Sequence, residues 1–564
     1  MGYDSGPVRK TGALAMPSVW ANLGKAALQR RIGGDTIGRL EMLLPGLKAG
    51  FEGEELFEKE GLVSVFEAFY GAEALDSTAF RKEIYDALPP QTIDALAKAA
   101  GIGLGLSVDK KNKKLAAIGW SNRQFAAKAA AILGLPAEYV PEEPLDFVAS
   151  EVILPIGPRY KPLKDYQFPV AILATEKLKI PHARFIIQMP TGSGKTRTAA
   201  EIISNFLNDS AEGTVVVWLA HSEELCQQAM DSFSEVWPHV ANRELRLVRC
   251  WGSRGSLSYD FSESAFIVGG FAKLHSLLER SDVPFKELRR RIGLVVVDEA
   301  HKVKAPTYEM VTKALIGEAT RVVGLTATPG RSTVDQEENA ALADFFFNEL
   351  ITIDSRGASV IPYLRERGVL SHVEYEPLYS NRSYALPPKD KAYLERFFDL
   401  PPGFLLKLAE DDIRNVEIVK KIEKEAALGR RILFFACSVE HSKFVCALLR
   451  FLGISAAHVD GTTPTGQRAA TLAKFRSGSL SVLCNFGVLS TGFDAPKTDL
   501  VFIARPTSSI VLYSQMIGRG LRGPAIGGTE SCKVIDVIDN IVDFSDQNKV
   551  YSFFDEYFDR RAER

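Results

Sequence analysis

One short run in the chain combines the residue types that bind phosphate groups. It is Met189-Pro-Thr-Gly-Ser-Gly-Lys-Thr196, which follows an apolar stretch and opens a stretch with helical periodicity. The two glycines let the backbone curl until its N–H groups point at the phosphates, and the following helix N-terminus adds partial positive charge. Lys195 supplies a mobile cation for the β- and γ-phosphates, and Thr196 offers a hydroxyl to Mg²⁺. The predicted nucleotide-binding residues of this loop are Thr191, Gly192, Ser193, Gly194, Lys195 and Thr196.

Paired acids at the end of an apolar run supply the second half of the predicted site. The run is Leu294-Val-Val-Val-Asp-Glu-Ala-His301. A parallel strand delivers the side chains at its carboxyl end to the ligand crevice. Asp298 would hold Mg²⁺ there, directly or through water, and Glu299 would accept a proton from the attacking water. Adjacent acids also end ordinary strands, but their occurrence together with a phosphate loop favours a nucleotide-hydrolysing site.

A third run carries arginines of the kind that stabilise charge during phosphoryl transfer. It is Gln515-Met-Ile-Gly-Arg-Gly-Leu-Arg522, whose two arginines share one face if the run is helical. An arginine finger raises the rate of phosphoryl transfer by about 10³–10⁵ in other systems. The alternative is a basic helix end that caps its own carbonyl groups.

The composition of the whole chain limits the class of protein. The 564 residues, 62.0 kDa in mass, leave room for three or four domains. Lys and Arg number 68 against 70 Asp and Glu, and the resulting net charge of −2 alone gives no sign of a nucleic-acid binder. An apolar fraction of 46% excludes a disordered chain. No apolar run approaches the roughly 20 residues of a membrane span. The six cysteines are scattered without a Cys-x-x-Cys pair, which favours a reducing cytoplasm over disulfides or a zinc ribbon.

Apolar β-rich runs alternate with helical stretches from about residue 151 onward. This alternation is typical of parallel sheets covered on both faces. The first series of predicted strands is 184–188, 214–220, 265–269, 293–297 and 321–325. The second series is 431–436, 481–484, 499–503 and 533–537. The predicted fold class is therefore α/β, with two tandem parallel-sheet domains.

Two segments lie outside these series. The first 150 residues hold short segments of helical periodicity separated by Gly and Pro, which indicates a mainly helical accessory domain. The segment between the two series is richer in aromatic residues, proline and charge, which predicts an insertion. The predicted division is a helical domain at 1–150, a first α/β domain at 151–331, an inter-domain insertion at 332–410 and a second α/β domain at 411–564.

The order of the three chemical runs resembles that of superfamily 2 helicases and translocases of the DEAH-containing type, over about residues 160–540. The phosphate loop and the paired acids match motifs I and II of that family, and Gln515, Arg519 and Arg522 match motif VI position by position. The resemblance implies two tandem RecA-like domains, with ATP and Mg²⁺ as cofactors. It also implies Arg522 as the finger and Arg519 as its partner at the γ-phosphate, although the two arginines could exchange roles.

Shorter runs extend the resemblance. Leu163-Lys-Asp-Tyr-Gln167 resembles the adenine-recognition element, in which Gln167 can both donate to and accept from adenine. Ser490-Thr-Gly-Phe-Asp-Ala-Pro496 resembles motif V, where Asp494 would bond the ribose or the finger arginines. The resemblance further implies residues that contact nucleic acid or couple it to the nucleotide site: His221, Lys273, His301, Thr326, Thr328, Ser438 and Thr491.

The implied activity is that of an ATP-dependent DNA helicase or translocase. The run Thr326-Ala-Thr-Pro329 resembles motif III. The motif V run and the long segment after motif III look more like the translocating subunits of type I and III restriction enzymes, and related repair or anti-phage helicases, than like compact RNA remodellers. DNA is therefore the expected track, and RNA is less favoured. Residues 1–150 contain no convincing Pro-Asp…Glu-x-Lys nuclease set, so we expect any nuclease or effector to be a partner, reached through that region. An ATP-gated nucleic-acid sensor or clamp, which recruits an effector without unwinding, and an RNA helicase stay open as alternatives.

Overall fold

The computed structural model describes most of the chain. The described residues are 19–47, 56–141, 151–155, 157, 162–252, 263–280, 285–327, 336–357, 359–397, 399–489, 495, 497–507 and 509–542. Backbone contacts divide the chain into two compact units. Unit 1 comprises Met1–Phe147, Tyr379–Ser383 and Pro402–Gly487, and unit 2 comprises Val148–Leu378, Tyr384–Pro401 and Val488–Arg564.

The first sheet follows from the strand–helix alternation in the sequence. Its strands are β1 (Glu151–Leu154), β2 (Arg184–Gln188), β3 (Val215–Ala220), β4 (Leu245–Cys250), β5 (Ala265–Gly270), β6 (Ile292–Asp298), β7 (Arg321–Thr326) and β8 (Leu350–Thr352). Among the described residues their order is β1-β4-β5-β3-β6-β7-β2-β8. β1 is antiparallel to β4, and the other pairs are parallel. The five predicted strands are confirmed as β2, β3, β5, β6 and β7.

The register of three neighbouring strands sets the geometry of the predicted site. β7 lies between β6 and β2. Asp298 at the end of β6 is opposite Leu325, and Gln188 at the end of β2 is opposite Thr326. Since parallel strands end at the same edge of a sheet, the phosphate loop after β2 and the paired acids after β6 open onto one edge.

The second sheet confirms the prediction of a second parallel α/β domain. Its strands are β9 (His372–Ala385), β10 (Ile432–Phe435), β11 (Ala456–Val459), β12 (Val482–Asn485), β13 (Leu500–Ile503) and β14 (Ser531–Val542). Among the described residues their order is β11-β12-β10-β13-β14-β9. The pairs β10–β12, β11–β12 and β13–β14 are parallel. The four predicted strands are β10, β12, β13 and β14.

The segment 332–410, which is predicted to be an inter-domain insertion, contributes a strand to each sheet. β8 pairs with β2 at one edge of the first sheet, and β9 lies at one edge of the second. β8 is three residues long, and the exposure of β9 does not alternate regularly along the strand. Neither strand therefore has the periodicity by which a strand is predicted from sequence.

Helices fill the connections between these strands and form the N-terminal region. The helices are α1 (Lys25–Ile32), α2 (Gly34–Leu47), α3 (Lys59–Phe69), α4 (Thr78–Asp86), α5 (Pro90–Ala99), α6 (Val108–Ala117), α7 (Arg123–Leu133), α8 (Gln167–Leu178), α9 (Lys195–Asp209), α10 (Glu223–Val240), α11 (Phe271–Arg280), α12 (Phe285–Arg291), α13 (Pro306–Leu315), α14 (Gln336–Phe345), α15 (Val360–Glu366), α16 (Pro388–Phe397), α17 (Pro402–Ala409), α18 (Asp412–Ala427), α19 (Val439–Phe451), α20 (Thr465–Ser477) and α21 (Ile510–Ile517). α1 to α7 confirm the mainly helical N-terminal region. In the described part of the chain, no helix combines the length and apolar character needed to cross a membrane.

The N-terminal helices pack on helices of the second α/β region within unit 1. The guanidinium of Arg39 in α2 lies 4.0 Å from the ring centroid of Phe444 in α19. The same group donates two hydrogen bonds to Asp412 Oδ1 in α18, at 2.8 and 2.6 Å. Phe69 in α3 meets Phe444 edge-on, with ring centroids 6.0 Å apart. One side of the helical region is therefore occupied by its own chain.

Glu67 of α3 is an unusual carboxyl group in this packing. Its Oε2 is buried and has no hydrogen-bond partner within the described residues. Burial raises the pKa of Glu67 to about 7, although Trp20 and the positive charge of Arg450 act in the opposite direction. The unfolded chain, in which this pKa is near 4.5, therefore releases the proton first as pH rises. As pH rises from 4.5 to about 7, the free energy of unfolding therefore falls.

We expect the change Glu67→Gln to stabilise unit 1 at high pH. The free energy of unfolding should rise by about 1–2 kcal/mol at pH 8 and change little at pH 4.5, since a neutral group is already present there. Urea unfolding followed by circular dichroism at both pH values measures this difference. Glu60→Gln, at an exposed position of the same helix, is the matched control. A stabilisation of equal size at both pH values would contradict the prediction.

Candidate active site

The phosphate loop has the conformation that its glycines predict. Gly192 and Gly194 adopt φ values of +86° and +84°, in the left-handed region that glycine tolerates best. Ser193 is fully buried, and its Oγ donates a hydrogen bond to the carbonyl of Pro190 at 2.7 Å. α9 begins at Lys195, so the helix N-terminus lies directly behind the loop. This is the arrangement of a phosphate-binding loop.

The predicted adenine-recognition element contacts the loop through two neighbouring side chains. Gln167 Nε2 lies 3.4 Å from the carbonyl oxygen of Ser193 and 3.3 Å from that of Gly194, and donates to both. Its Oε1 accepts a hydrogen bond from the backbone N–H of Lys164 at 2.9 Å. Tyr166 donates its hydroxyl to the Ser193 carbonyl at 2.9 Å. Both ends of the Gln167 amide are thus engaged with backbone, and adenine recognition by this residue stays a prediction.

The side chains of the loop and of β6 meet at a buried charge cluster. The Lys195 ammonium lies 3.6 Å from Asp298 Oδ1 and 3.6 Å from Glu299 Oε1. Asp298 and Glu299 are 4% and 8% exposed. Asp298 Oδ1 also accepts the backbone N–H of Glu299 at 3.0 Å. The structure therefore brings together the predicted lysine, metal ligand and general base.

The backbone at Glu299 is held in an unfavourable conformation. Its φ of +51° lies in the left-handed region, which a non-glycine residue adopts at an energetic cost. Immediately after it, a short 3₁₀ helix spans Ala300–Lys302. This turn places His301 Nδ1 3.4 Å from Glu299 Oε2 and 3.4 Å from Thr326 Oγ1. His301 and Thr326, two of the predicted coupling residues, are therefore in contact.

Burial and neighbouring charges set the ionisation of this cluster. Burial acts to raise the pKa of Glu299, but the nearby positive charges, among which Lys195 has the largest effect, together outweigh it, so the pKa of Glu299 is lowered and its carboxylate stays ionised. Burial raises the pKa of Asp298, against the effect of Lys195. Burial lowers the pKa of His301 to about 4, against the effect of Glu299. The imidazole of His301 is therefore neutral near pH 7.

The arginine run is not a continuous helix. Its two arginines therefore do not share one helix face, as they would if the run were helical. α21 ends at Ile517, and the chain turns at Gly518 before it reaches Arg519 and Arg522. Gly518 packs so closely on the phosphate loop that a Cβ atom there would collide with Thr191 Cγ2. This close approach requires glycine at position 518, because no larger residue fits against the loop.

The backbone of Arg522 is fixed by the segment that precedes β9. Its carbonyl oxygen accepts hydrogen bonds from Ser371 Oγ at 2.6 Å and from the Thr529 N–H at 2.9 Å. Arg522 also forms an isolated β-bridge with Leu370. A Cβ atom on Gly192 would lie 3.8 Å from Arg522 Cγ, so this arginine side chain passes beside the phosphate loop.

Arg519 lies within electrostatic reach of the buried Glu299. Burial lowers the pKa of Arg519 to about 10, while the negative charge of Glu299 acts to raise it. Arg519 Nε donates to the carbonyl of Gln515 at 3.3 Å, so it also caps the end of α21. Gln515 is 7% exposed, and its Nε2 has no hydrogen-bond partner in the described part of the chain. Arg519 therefore both caps α21 and lies close to Glu299.

The predicted nucleic-acid and coupling residues lie in both units. Lys302 Nζ donates to His221 Nε2 at 2.9 Å at the end of β3, and burial lowers the pKa of His221 to about 4. Lys273 is in the first turn of α11. Ser438 in unit 1 is the N-cap of α19, where its Oγ accepts the N–H of His441 at 3.0 Å. Ser438 thus has a local structural role. Thr328, Thr491 and Asp494 lie outside the described residues.

The residues at this edge fit Mg²⁺ as a companion of a bound nucleotide. In the described ranges, no group of three or more His, Cys, Asp or Glu side chains could hold a metal ion. Mg²⁺ is commonly held by one or two carboxylates, with substrate phosphates and water completing its shell. The Asp298 carboxylate and the Thr196 hydroxyl, at the start of α9, are oxygen ligands of this type. A dedicated protein cage is therefore not required.

The two α/β regions of the chain match two different protein families. Residues 160–331 match the type III restriction enzyme res subunit, and residues 414–523 match the helicase conserved C-terminal domain. The chain carries the paired domains of the superfamily 2 helicases. The matches coincide with the regions that hold the phosphate loop and paired acids in one case and the arginine run in the other.

Known proteins resemble the chain over about two thirds of its length. The "51.5 kDa protein" of a Lactococcus phage (isolate 7-9) is 26% identical over 64% of the chain and 66% of its own length. The putative ATP-dependent helicase IRC3 of Saccharomyces cerevisiae is 25% identical over 67% of the chain and 51% of its own length. The chain thus spans between half and two thirds of the length of these relatives. The structure of S. cerevisiae Dbp5 bound to RNA and ADP BeF3 aligns with 70% of the chain and 92% of its own, at 16% identity and a TM-score of 0.45.

Two side chains that hold the site in place, those of Tyr166 and Ser371, are not predicted from the sequence. Tyr166 precedes the predicted Gln167 and is only 3% exposed. The apolar residues that follow Gln167 are the one local sign that this stretch is buried. Ser371 lies in the segment predicted as an insertion, and no local signal marks its contact with Arg522. Both act by hydrogen bonds to backbone far away in the chain.

We expect Tyr166→Phe to weaken ATP binding without unfolding the domain. Loss of the hydroxyl removes one donor from the Ser193 carbonyl, and a lost hydrogen bond of about 1 kcal/mol corresponds to a rise of about five-fold in KM for ATP. Steady-state ATPase kinetics measure this, with kcat expected to change little. Tyr379→Phe, at a residue that is 68% exposed, is the matched control. An unchanged KM in Tyr166→Phe would show that the hydroxyl does not position the loop.

Proposed function

We propose that the chain is an ATP-dependent motor that moves on or remodels DNA. The observation that carries this proposal is the buried cluster in which the Lys195 ammonium lies 3.6 Å from both Asp298 and Glu299, beside the phosphate loop and within reach of Arg519. Phosphoryl-transfer enzymes need this combination of phosphate loop, acid pair and arginine. The paired helicase domains support the same activity.

Each group in the cluster has a proposed step in ATP hydrolysis. The loop N–H groups and Lys195 bind the β- and γ-phosphates. Glu299, held ionised by Lys195, accepts the proton of the attacking water. Thr196 and Asp298 would hold Mg²⁺, which supplies positive charge to the phosphate oxygens when bound. Arg522 stabilises the charge that develops on the γ-phosphate.

Arg519 acts with Arg522 at the γ-phosphate in this proposal. The alternative is that Arg519 is the finger and Arg522 its partner. Both arginines belong to the turn that packs on Thr191 through Gly518. A γ-phosphate bound by the loop would therefore contact this turn as well. Its departure would release the turn, and the contacts from Glu299 through His301 to Thr326 would pass the change to the nucleic-acid side.

The preference for DNA rests on family likeness. The model that matches residues 160–331 is that of a restriction enzyme subunit, and restriction enzymes act on DNA. A role in DNA repair or anti-phage defence, and a nuclease or effector partner reached through residues 1–150, belong to the same proposal. Other matched proteins are described as RNA helicases, so RNA stays the alternative track.

A panel of nucleic acids tests the motor function directly. We expect single-stranded or forked DNA to stimulate ATP turnover by about ten-fold or more, and RNA to stimulate it less. Strand displacement or removal of a bound protein from DNA should require ATP hydrolysis. ATP-dependent binding without displacement would instead support a sensor or clamp. An ATPase rate unaffected by every DNA and RNA would falsify the motor proposal.

Two substitutions separate nucleotide binding from hydrolysis. Lys195→Ala should abolish ATP binding or turnover, because it removes the cation of the loop. Glu299→Gln should retain ATP binding while lowering turnover by about 10²–10⁴, the typical contribution of a general base. Equilibrium binding of a fluorescent ATP analogue and phosphate release measure the two effects. Lys179→Ala, on the exposed end of α8, is the control. Normal turnover in Glu299→Gln would remove Glu299 as the base.

A further inference from the structure

A second basic pocket lies beside the start of β2, at the opposite end of that strand from the phosphate loop. We name it the β2-entry pocket, and its volume is about 500 Å³. That volume is within the common range of small-ligand sites. Its charged lining consists of four cations, Arg184, Arg289, Lys304 and Lys313, and two acids, Glu309 and Asp344. β2 rises by about 13 Å between Arg184 and Gln188, which separates this pocket from the nucleotide site.

Arg184 has a guanidinium held by aromatic rings. Its Cζ lies 5.2 Å from the ring centroid of Phe345 and 5.0 Å from that of Phe347. Its Nε is buried and has no hydrogen-bond partner among the described residues. A buried donor without a partner is rare in native proteins, and a bound ion or water is one way of satisfying it. The planar fork of arginine is well suited to phosphate.

Phe347 lines the pocket. The side chain is 54% exposed, although a phenyl ring is normally buried. The backbone at Phe347 has φ of +56°, an unfavourable conformation for a bulky residue. Such conformations cluster at ligand sites. An exposed ring beside cations is the arrangement on which nucleic-acid bases stack.

The charges of the pocket do not cancel. Glu309 is shared by Lys304 and Lys313, whose Nζ atoms lie 2.9 and 2.8 Å from its Oε1. Arg289 Nε donates to the backbone carbonyl of Ile316 at 2.6 Å, which is a neutral partner. Four cations against two carboxylates leave an excess of positive charge around the Arg184 guanidinium. The lining therefore favours an anionic ligand.

We propose that the β2-entry pocket binds a nucleotide unit, with its phosphate on Arg184 and the neighbouring cations and its base against Phe347. Two kinds of ligand contain such a nucleotide: a free mononucleotide and a single strand, of which the pocket would hold one nucleotide. Both carry the same chemistry. This site is additional to the ATP site, and its occupation does not depend on ATP turnover.

Photo-crosslinking with two probes tests the site and distinguishes its sources. The probes are 5-bromodeoxyuridine monophosphate and a ten-nucleotide deoxythymidine strand with one central 5-bromodeoxyuridine, each added to the full chain with ADP and Mg²⁺ present. We expect a crosslink within residues 341–347, mapped by mass spectrometry. Arg184→Gln should lower its yield about ten-fold, as expected for loss of a phosphate contact that supports a stacked base.

Arg321→Gln is the matched control. Arg321 begins the neighbouring strand β7 and stacks on Phe206, with Cζ 5.5 Å from the ring centroid, but its Nε already donates to the Leu178 carbonyl at 2.9 Å. It should leave the crosslink unchanged. Phe347→Leu, at an exposed ring, should lower the yield as well and keeps the test valid if Arg184→Gln fails to fold.

The outcomes identify the source or overturn the site. A crosslink with the monophosphate indicates a free-nucleotide site, and one confined to the strand indicates a strand contact. The absence of a crosslink in residues 341–347 with either probe, or an equal yield in Arg184→Gln, would overturn the proposal. ATP turnover should be unchanged in Arg184→Gln, so failure here is distinguishable from failure of the proposed motor function.

Discussion

The candidate active site depends on one buried ammonium shared by two carboxylates. Isolated charges of this kind are unstable away from water, so Lys195, Asp298 and Glu299 stabilise one another only while all three are held together. Two elements must deliver them: α9, which begins at Lys195, and β6, which ends at Asp298. β7 lies between β6 and β2 and fixes their separation. The strand order of the first sheet is thus a requirement of the charge cluster.

The parts of the site that could be predicted from sequence are those formed by short continuous runs. The phosphate loop and the paired acids each combine a strand, a turn and a functional side chain within one short stretch of chain, so local patterns suffice. Tyr166 and Ser371 could not be predicted in this way. Their hydroxyls bond the backbones of Ser193 and Arg522, which are distant in the sequence, and only the folded chain brings them into contact.

The segment 332–410 shows the same limit for the fold. Its composition differs from that of the two strand series, which favours the interpretation as an insertion. A strand of three residues such as β8 has too few positions to show a period, and its pairing with β2 decides its conformation. The segment also carries Ser371 and Leu370, which hold the backbone of Arg522. A region without sequence motifs therefore positions a residue that belongs to one.

The near-zero net charge does not conflict with an anionic substrate, because a phosphate group responds to charges within about 8 Å at physiological ionic strength. Many cations of the chain are neutralised by nearby acids, as Arg246 is by Glu151 and Glu263. Near the phosphate loop, Arg519 and Lys195 both lie close to Glu299, and the Arg522 side chain passes beside the loop. A nucleotide's phosphates would bring further negative charge to these cations. Local placement, which the overall composition does not report, therefore determines where anions bind.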